Sequence, residues 1–84
     1  MITSAQIRAA RGLLGISQLE LVKKSGVSMP TITKFEANNE NIEKASGRTV
    51  NKIIKFFETE NIRFIPAKEK NNLGEGVRFV YEDE

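Results

Sequence analysis

Apolar residues in the first half of the chain recur at helical spacing, and cap chemistry cuts them into short segments. Ile7, Ala10, Leu13 and Leu14 follow the 3.6-residue period and predict a first helix starting near Ser4. Its start is marked twice: Thr3 with Gln6 three residues on makes a capping box, and Ile2 can pack on Ile7 as a hydrophobic staple. Gly15, able to adopt the left-handed conformation, ends it. Ser17-Gln18-Leu19-Glu20 repeats the capping signature and predicts a second helix, with Leu21 and Val22 inward, Lys23 and Lys24 outward, and Gly26 at the sharp turn after it. Ser28 caps a third helix, about residues 28–37. There Met29, Ile32 and Phe35 form the apolar row and leave Thr31, Thr33 and Lys34 on the more exposed side. Pro30 fits the first turn, where amides have no intrahelical partner.

The pattern then changes. Residues 39–47, NENIEKASG, are polar and turn-prone and read as a connector with room for a short helical turn. Val50, Ile53, Ile54 and Phe57 form one apolar stripe of a further helix that closes the core, with Phe56 at its edge. Beyond Asn61 the residues become β-branched and aromatic. Ile62–Ile65 and Val77–Tyr81 predict two short antiparallel strands joined by the flexible connector PAKEKNNLGEG. An open edge of so small a sheet offers a place for a second chain to pair. The expected class is mainly α, four to five helices with a short C-terminal β-hairpin. Residues 1–61 make the helical domain, and 62–84 a β tail packed on it or extending it.

Size and composition narrow the function. Eighty-four residues, 39% apolar, build a thin core with little room for an enclosed catalytic cleft. There is no cysteine and no histidine, which removes disulfides, thiolate metal sites and the commonest general base. The carboxylates are scattered, no nucleophile has a partner base, and no glycine-rich phosphate loop follows a strand, so an enzyme, a metal or a cofactor is not expected. The start MITSAQIRAARG lacks the apolar core of a signal peptide and no apolar run reaches bilayer length, so the expected location is cytoplasmic with no membrane contact. The net charge is only +2, but it is unevenly spread. Through Asn38, five basic residues (Arg8, Arg11, Lys23, Lys24, Lys34) face Glu20 and Glu36, giving +3; from Asn39 onward eight basic residues meet nine acidic ones, giving −1. The first half is the better match for an anionic partner.

A short helix, a tight glycine-containing turn and a second helix make a helix-turn-helix, whose second helix can enter a DNA major groove. The chain also resembles the lambda repressor and Cro family, the XRE-type helix-turn-helix proteins, over roughly residues 3–60. The resemblance is carried by R-x-x-x-G-I-S-Q-x-x-L from Arg11 to Leu21, S-G-V-S from Ser25 to Ser28, and I-T-K-F-E from Ile32 to Glu36. Val22 stands where the family usually has alanine, and Asn38 where it often has glycine. The resemblance implies double-stranded DNA as partner, with Ser17 and Gln18 at the phosphates and Ser28, Met29, Pro30, Thr31 and Thr33 at or near the bases. It also implies Lys34 and Asn38 at the backbone, and a partly buried ion pair between Arg11 and Glu36 with a structural role. Pro30 is less usual for base reading. The third helix has no Arg, Asn or Gln for a bidentate base contact, so modest intrinsic specificity is expected, with DNA shape and dimer spacing contributing more. The leading expectation is a dimeric repressor. Its alternatives are an antitoxin that also masks a toxin, and a protein-interaction module that kept the fold without DNA binding.

Overall fold

The computed structural model describes residues 2–37, 47–68 and 71–81. Within these the chain is mainly α: α1 (Ser4–Leu14), α2 (Gln18–Ser25), α3 (Met29–Ala37) and α4 (Gly47–Thr59) are followed by strands β1 (Ile62–Ile65) and β2 (Gly76–Phe79). The connector expected over 39–47 lies outside the described residues except for Gly47, which already belongs to α4. That helix therefore begins ahead of its apolar stripe.

Both expected capping boxes form. The Thr3 hydroxyl accepts from the Gln6 amide at 3.1 Å while the Gln6 side chain accepts from the Thr3 amide at 2.8 Å. Ser17 and Glu20 repeat the exchange at 3.1 and 3.2 Å. Each reciprocal pair satisfies two donors that a helix start leaves without partners. At the other ends, Gly15 (φ 67°) and Gly26 (φ 77°) adopt the left-handed conformation. Their amides bond back to carbonyls in the last turns of α1 and α2, which lets the chain reverse within three residues between α2 and α3. A side chain at either position would be strained.

One core results. Ile2, Ile7 and Ala10 from the N-terminal segment meet Leu21, Val27, Ile32 and Phe35 of the helix-turn-helix and Val50, Ile53 and Phe57 of α4. Ile2 and Ile7 are both buried, as a staple requires. Leu13, which falls on the helical repeat of α1, is 42% exposed because only the Ile7–Ala10 side of that helix faces the core. Phe56 is half-buried against the core edge.

The hairpin is joined to this core rather than trailing from it. Ile62 is fully buried, and Phe57 and Phe64 meet edge to face with centroids 5.7 Å apart. Asn61 takes φ 64°, a conformation asparagine tolerates, and turns the chain from α4 into β1. The register pairs Ile62 with Phe79 and Ile65 with Gly76. The second strand thus begins one residue earlier than the Val77–Tyr81 expectation and stops at Phe79; beyond it, the Val80 amide still donates to the Asn61 carbonyl at 2.7 Å. Within the connector, Lys68 and Leu73 exchange two backbone hydrogen bonds of 2.7 and 3.0 Å, a pairing its composition does not signal.

Gln6 links α1 to the sheet by hydrogen bonds. Its side-chain nitrogen donates to the Ile65 carbonyl at 3.0 Å and to the Gly76 carbonyl at 2.9 Å, at the end of the ladder where the connector joins the two strands. Replacing it strands two partly buried carbonyls, a loss of about 1–3 kcal/mol. Gln6→Ala is therefore expected to lower the melting temperature by about 4–8 °C per kcal/mol lost. In amide exchange followed by NMR, the hairpin amides should lose more protection than those of α2.

Candidate nucleic-acid interface

The exposed surface of α3 follows from which of its residues the core has taken. Ile32, Phe35 and Glu36 are buried, so Pro30, Thr33, Lys34 and Ala37 form an exposed stripe at i, i+3, i+4 and i+7. Ser28, just ahead of the helix, is exposed as well, while Met29 and Thr31 are half-buried. Asn38 lies outside the described residues. The sequence reading made Ser28 a side-chain cap. The structure instead has its carbonyl accepting from the Ile32 amide at 3.0 Å and its hydroxyl meeting the Thr31 hydroxyl at 2.9 Å. Two hydroxyls thus sit together at the entry of α3, beside Pro30, which contributes no amide there.

The start of α2 is built differently. The Ser17 hydroxyl accepts from Glu20 but keeps its own proton for a further acceptor. The Gln18 side chain donates one N–H to Glu36 Oε1 at 3.2 Å, leaving a second N–H for another partner. Gln18 is therefore tied into the protein through Glu36 and is not an idle surface residue.

Glu36 is the centre to which these parts are fastened. Its side chain is 4% exposed. Arg11 grips it with two parallel bonds, Nε to Oε2 at 2.9 Å and Nη2 to Oε1 at 2.8 Å. The remaining Arg11 nitrogen donates to the Ile16 carbonyl at 3.0 Å, which holds the link between α1 and α2. One turn earlier on α1, Arg8 donates to the backbone carbonyl of Glu36 and so engages the last turn of α3. One residue thereby ties α1, the entry of α2 and the end of α3. Arg8 and Gln18 were not assigned to this cluster from the sequence; the i, i+3 spacing of Arg8 and Arg11 is the signal that both lean the same way.

The hydrogen bonds from Arg11 to Glu36 raise the arginine's pKa above its ordinary value; burial opposes this, and the opposite charge of Glu36 adds to it. A pKa raised by folding gives stability that is present in full below the unfolded value and lost only as pH climbs through the folded one. Arginine therefore holds its side of the pair through the whole neutral range.

Breaking a buried ion pair by removing one partner costs roughly 3–5 kcal/mol, and the quarter exposure of Arg11 discounts this to about 2 kcal/mol. Thermal unfolding of Arg11→Ala should accordingly show a clear loss, against a change within about 0.5 kcal/mol for exposed Lys23→Ala. Indistinguishable melting curves would remove the pair from its structural role.

Among the described residues, no helix is long and apolar enough to cross a membrane. No curated protein matches the chain. A family model described as helix-turn-helix matches residues 7–60, which takes in the Arg8–Arg11–Glu36 cluster, the exposed stripe of α3 and all of α4. The chain belongs to the lambda repressor/Cro (XRE-type) helix-turn-helix family of DNA-binding regulators.

Proposed function

We propose that the protein is a sequence-specific transcriptional repressor that binds double-stranded DNA as a homodimer, with α3 in the major groove. The observation that carries this reading is the arrangement of α3: its exposed stripe is free of structural duties, while its last turn is fixed by Arg8 and Arg11 through Glu36. Thr33 presents a hydroxyl for a base or phosphate and a methyl for thymine; Pro30 and half-buried Met29 offer apolar contact only. Ser28 and Thr31 add hydroxyls at the groove end of the helix. Lys34 neutralises a phosphate, and Asn38, after the end of α3, serves as a further backbone contact. At the start of α2, the spare Gln18 N–H and the Ser17 hydroxyl proton donate to phosphate oxygens, assisted by the positive end of the helix dipole.

A single copy of this surface reads few bases, so two copies on half-sites about 34 Å apart supply the missing specificity. The hairpin has open strand edges, and Val80 and Tyr81 are exposed beside it, which supports pairing of the two copies there.

Fluorescence anisotropy of the protein on its own upstream DNA and on a scrambled duplex of equal length, over a salt series, tests the reading. Tighter binding to the upstream duplex is expected. Thr33→Ala should reduce that preference by about 1 kcal/mol, the low end of a base contact. Lys34→Ala should weaken both duplexes alike and lower the salt slope by about 1. Equal binding of the wild-type protein to both duplexes would contradict sequence-specific regulation.

A further inference from the structure

More than one exposed basic residue occurs on each of α2 and α4, and only one of these two helices obeys helix electrostatics. On α2, Glu20 lies in the first turn and Lys23 and Lys24 in the last, as the helix dipole favours, and Glu20 precedes Lys24 by four residues. This is an ordinary solvated face. On α4 the order is reversed. The first turn contains no acidic residue and carries Arg48, next to the positive end of the dipole. Arg48 and Lys52 are like charges at i, i+4, and Lys52 and Lys55 at i, i+3, both repulsive spacings. Arg48, Asn51, Lys52 and Lys55 are all exposed and together line one shallow open groove. Among the described residues, none of the three cations has an ion-pair or hydrogen-bond partner.

Glu58, three residues after Lys55, is the acidic residue of α4 and forms no ion pair with it, so the face keeps a net positive charge at two repulsive spacings, and such local conflicts concentrate where a ligand relieves them. The opposite face of α4 buries Val50, Ile53 and Phe57, so the cations project from a fixed backbone. Seven residues of helix rise about 10 Å, a length over which duplex DNA carries about six phosphate charges. Among the helices, α2 packs on both α3 and α4, so α4 is joined to the helix-turn-helix through its packed side and turns the cations to solvent.

We propose that the Arg48–Asn51–Lys52–Lys55 face of α4 is a second DNA contact, binding the phosphate backbone outside the segment read by α3. It rests on the DNA-binding reading above. The contact is independent of base sequence: Arg48, Lys52 and Lys55 neutralise phosphates, and the Asn51 amide donates to a phosphate oxygen between them. It compensates for an α3 that carries little charge of its own.

The test compares the wild-type protein with Arg48→Gln/Lys52→Gln/Lys55→Gln on two upstream duplexes, one just spanning the α3 footprint and one extended by a helical turn of about 10 base pairs on each side. The wild-type protein should bind the extended duplex more tightly and with a steeper salt dependence. The triple variant should lose that advantage, with its salt slope lowered by about 2–3, at roughly 0.9 per phosphate contact. Its preference for upstream over scrambled DNA should be unchanged. Its melting temperature should be equal to or above that of the wild type, since repulsion has been removed. Equal affinity and slope for the two proteins on the extended duplex would overturn the inference while leaving the α3 reading intact, as would a triple variant that loses only the binding of an acidic protein. Weaker binding with a reduced preference for upstream DNA in Thr33→Ala/Lys34→Ala supports the α3 reading in the same assay. A wild-type protein that binds neither duplex overturns both.

Discussion

The buried carboxylate of Glu36 is the constraint on which the rest of the interface depends. A carboxylate that is almost wholly removed from water is costly unless its oxygens are matched, and here one oxygen takes Arg11 and the other takes Arg11 and Gln18. The planar guanidinium suits this task because its fork delivers two parallel bonds at once, a geometry a lysine cannot reproduce. Since the donors come from α1 and from the entry of α2, satisfying one side chain of α3 fixes three helices together. Arg8 adds a bond to the Glu36 main chain, so the helix end is held by its backbone as well as by its side chain. Among the described residues, no buried side-chain polar atom lacks a partner.

Gln6 solves a comparable problem for the hairpin. A two-stranded ribbon is marginal in water, and this one gains a buried Ile62, an edge-to-face contact between Phe57 and Phe64, and the pair of hydrogen bonds from Gln6 to the carbonyls at its connected end. The same Gln6 serves as the acceptor in the cap of α1. Helix start and sheet end are therefore coupled through a single amide, so disturbance of either is felt by the other. Arg63 and Arg78 stand directly opposite across the strands, an unfavourable pairing that Arg63 eases by donating to the Glu58 carbonyl near the end of α4.

Much of this architecture was legible in the chain. Caps at Thr3 and Ser17, the turn glycines and the stripe of α4 are local signals, each set by chemistry within about four residues. The ion pair of Arg11 with Glu36 was accessible only through the family resemblance, because the partners are 25 positions apart. The bonds of Gln6 to the hairpin and of Gln18 to Glu36 were not accessible, since each residue already had a sufficient local explanation, a cap in one case and a phosphate ligand in the other. Leu13 shows the same limit from the opposite direction: it fits the helical repeat, but exposure is decided by where the neighbouring helices end. The Lys68–Leu73 bridge went unread because a glycine- and asparagine-rich connector is marked as a turn by composition, with nothing to indicate backbone pairing across it.

The chemistry of α3 determines what kind of reader this protein is. Without Arg, Asn or Gln on the exposed stripe, no side chain there can engage a base edge through two bonds, and Thr33 with the Ser28–Thr31 hydroxyl pair can each engage only singly. A single hydroxyl contact discriminates well only if its position is fixed, because a mobile helix would let it find an acceptor on several bases. Rigid anchoring of α3 through Glu36 and weak individual base contacts are therefore complementary. In the proposed reading, the anchoring confines each hydroxyl to one place in the groove, and the shape of the DNA that would admit Pro30 and the half-buried Met29 would then supply selection that hydrogen bonding alone does not.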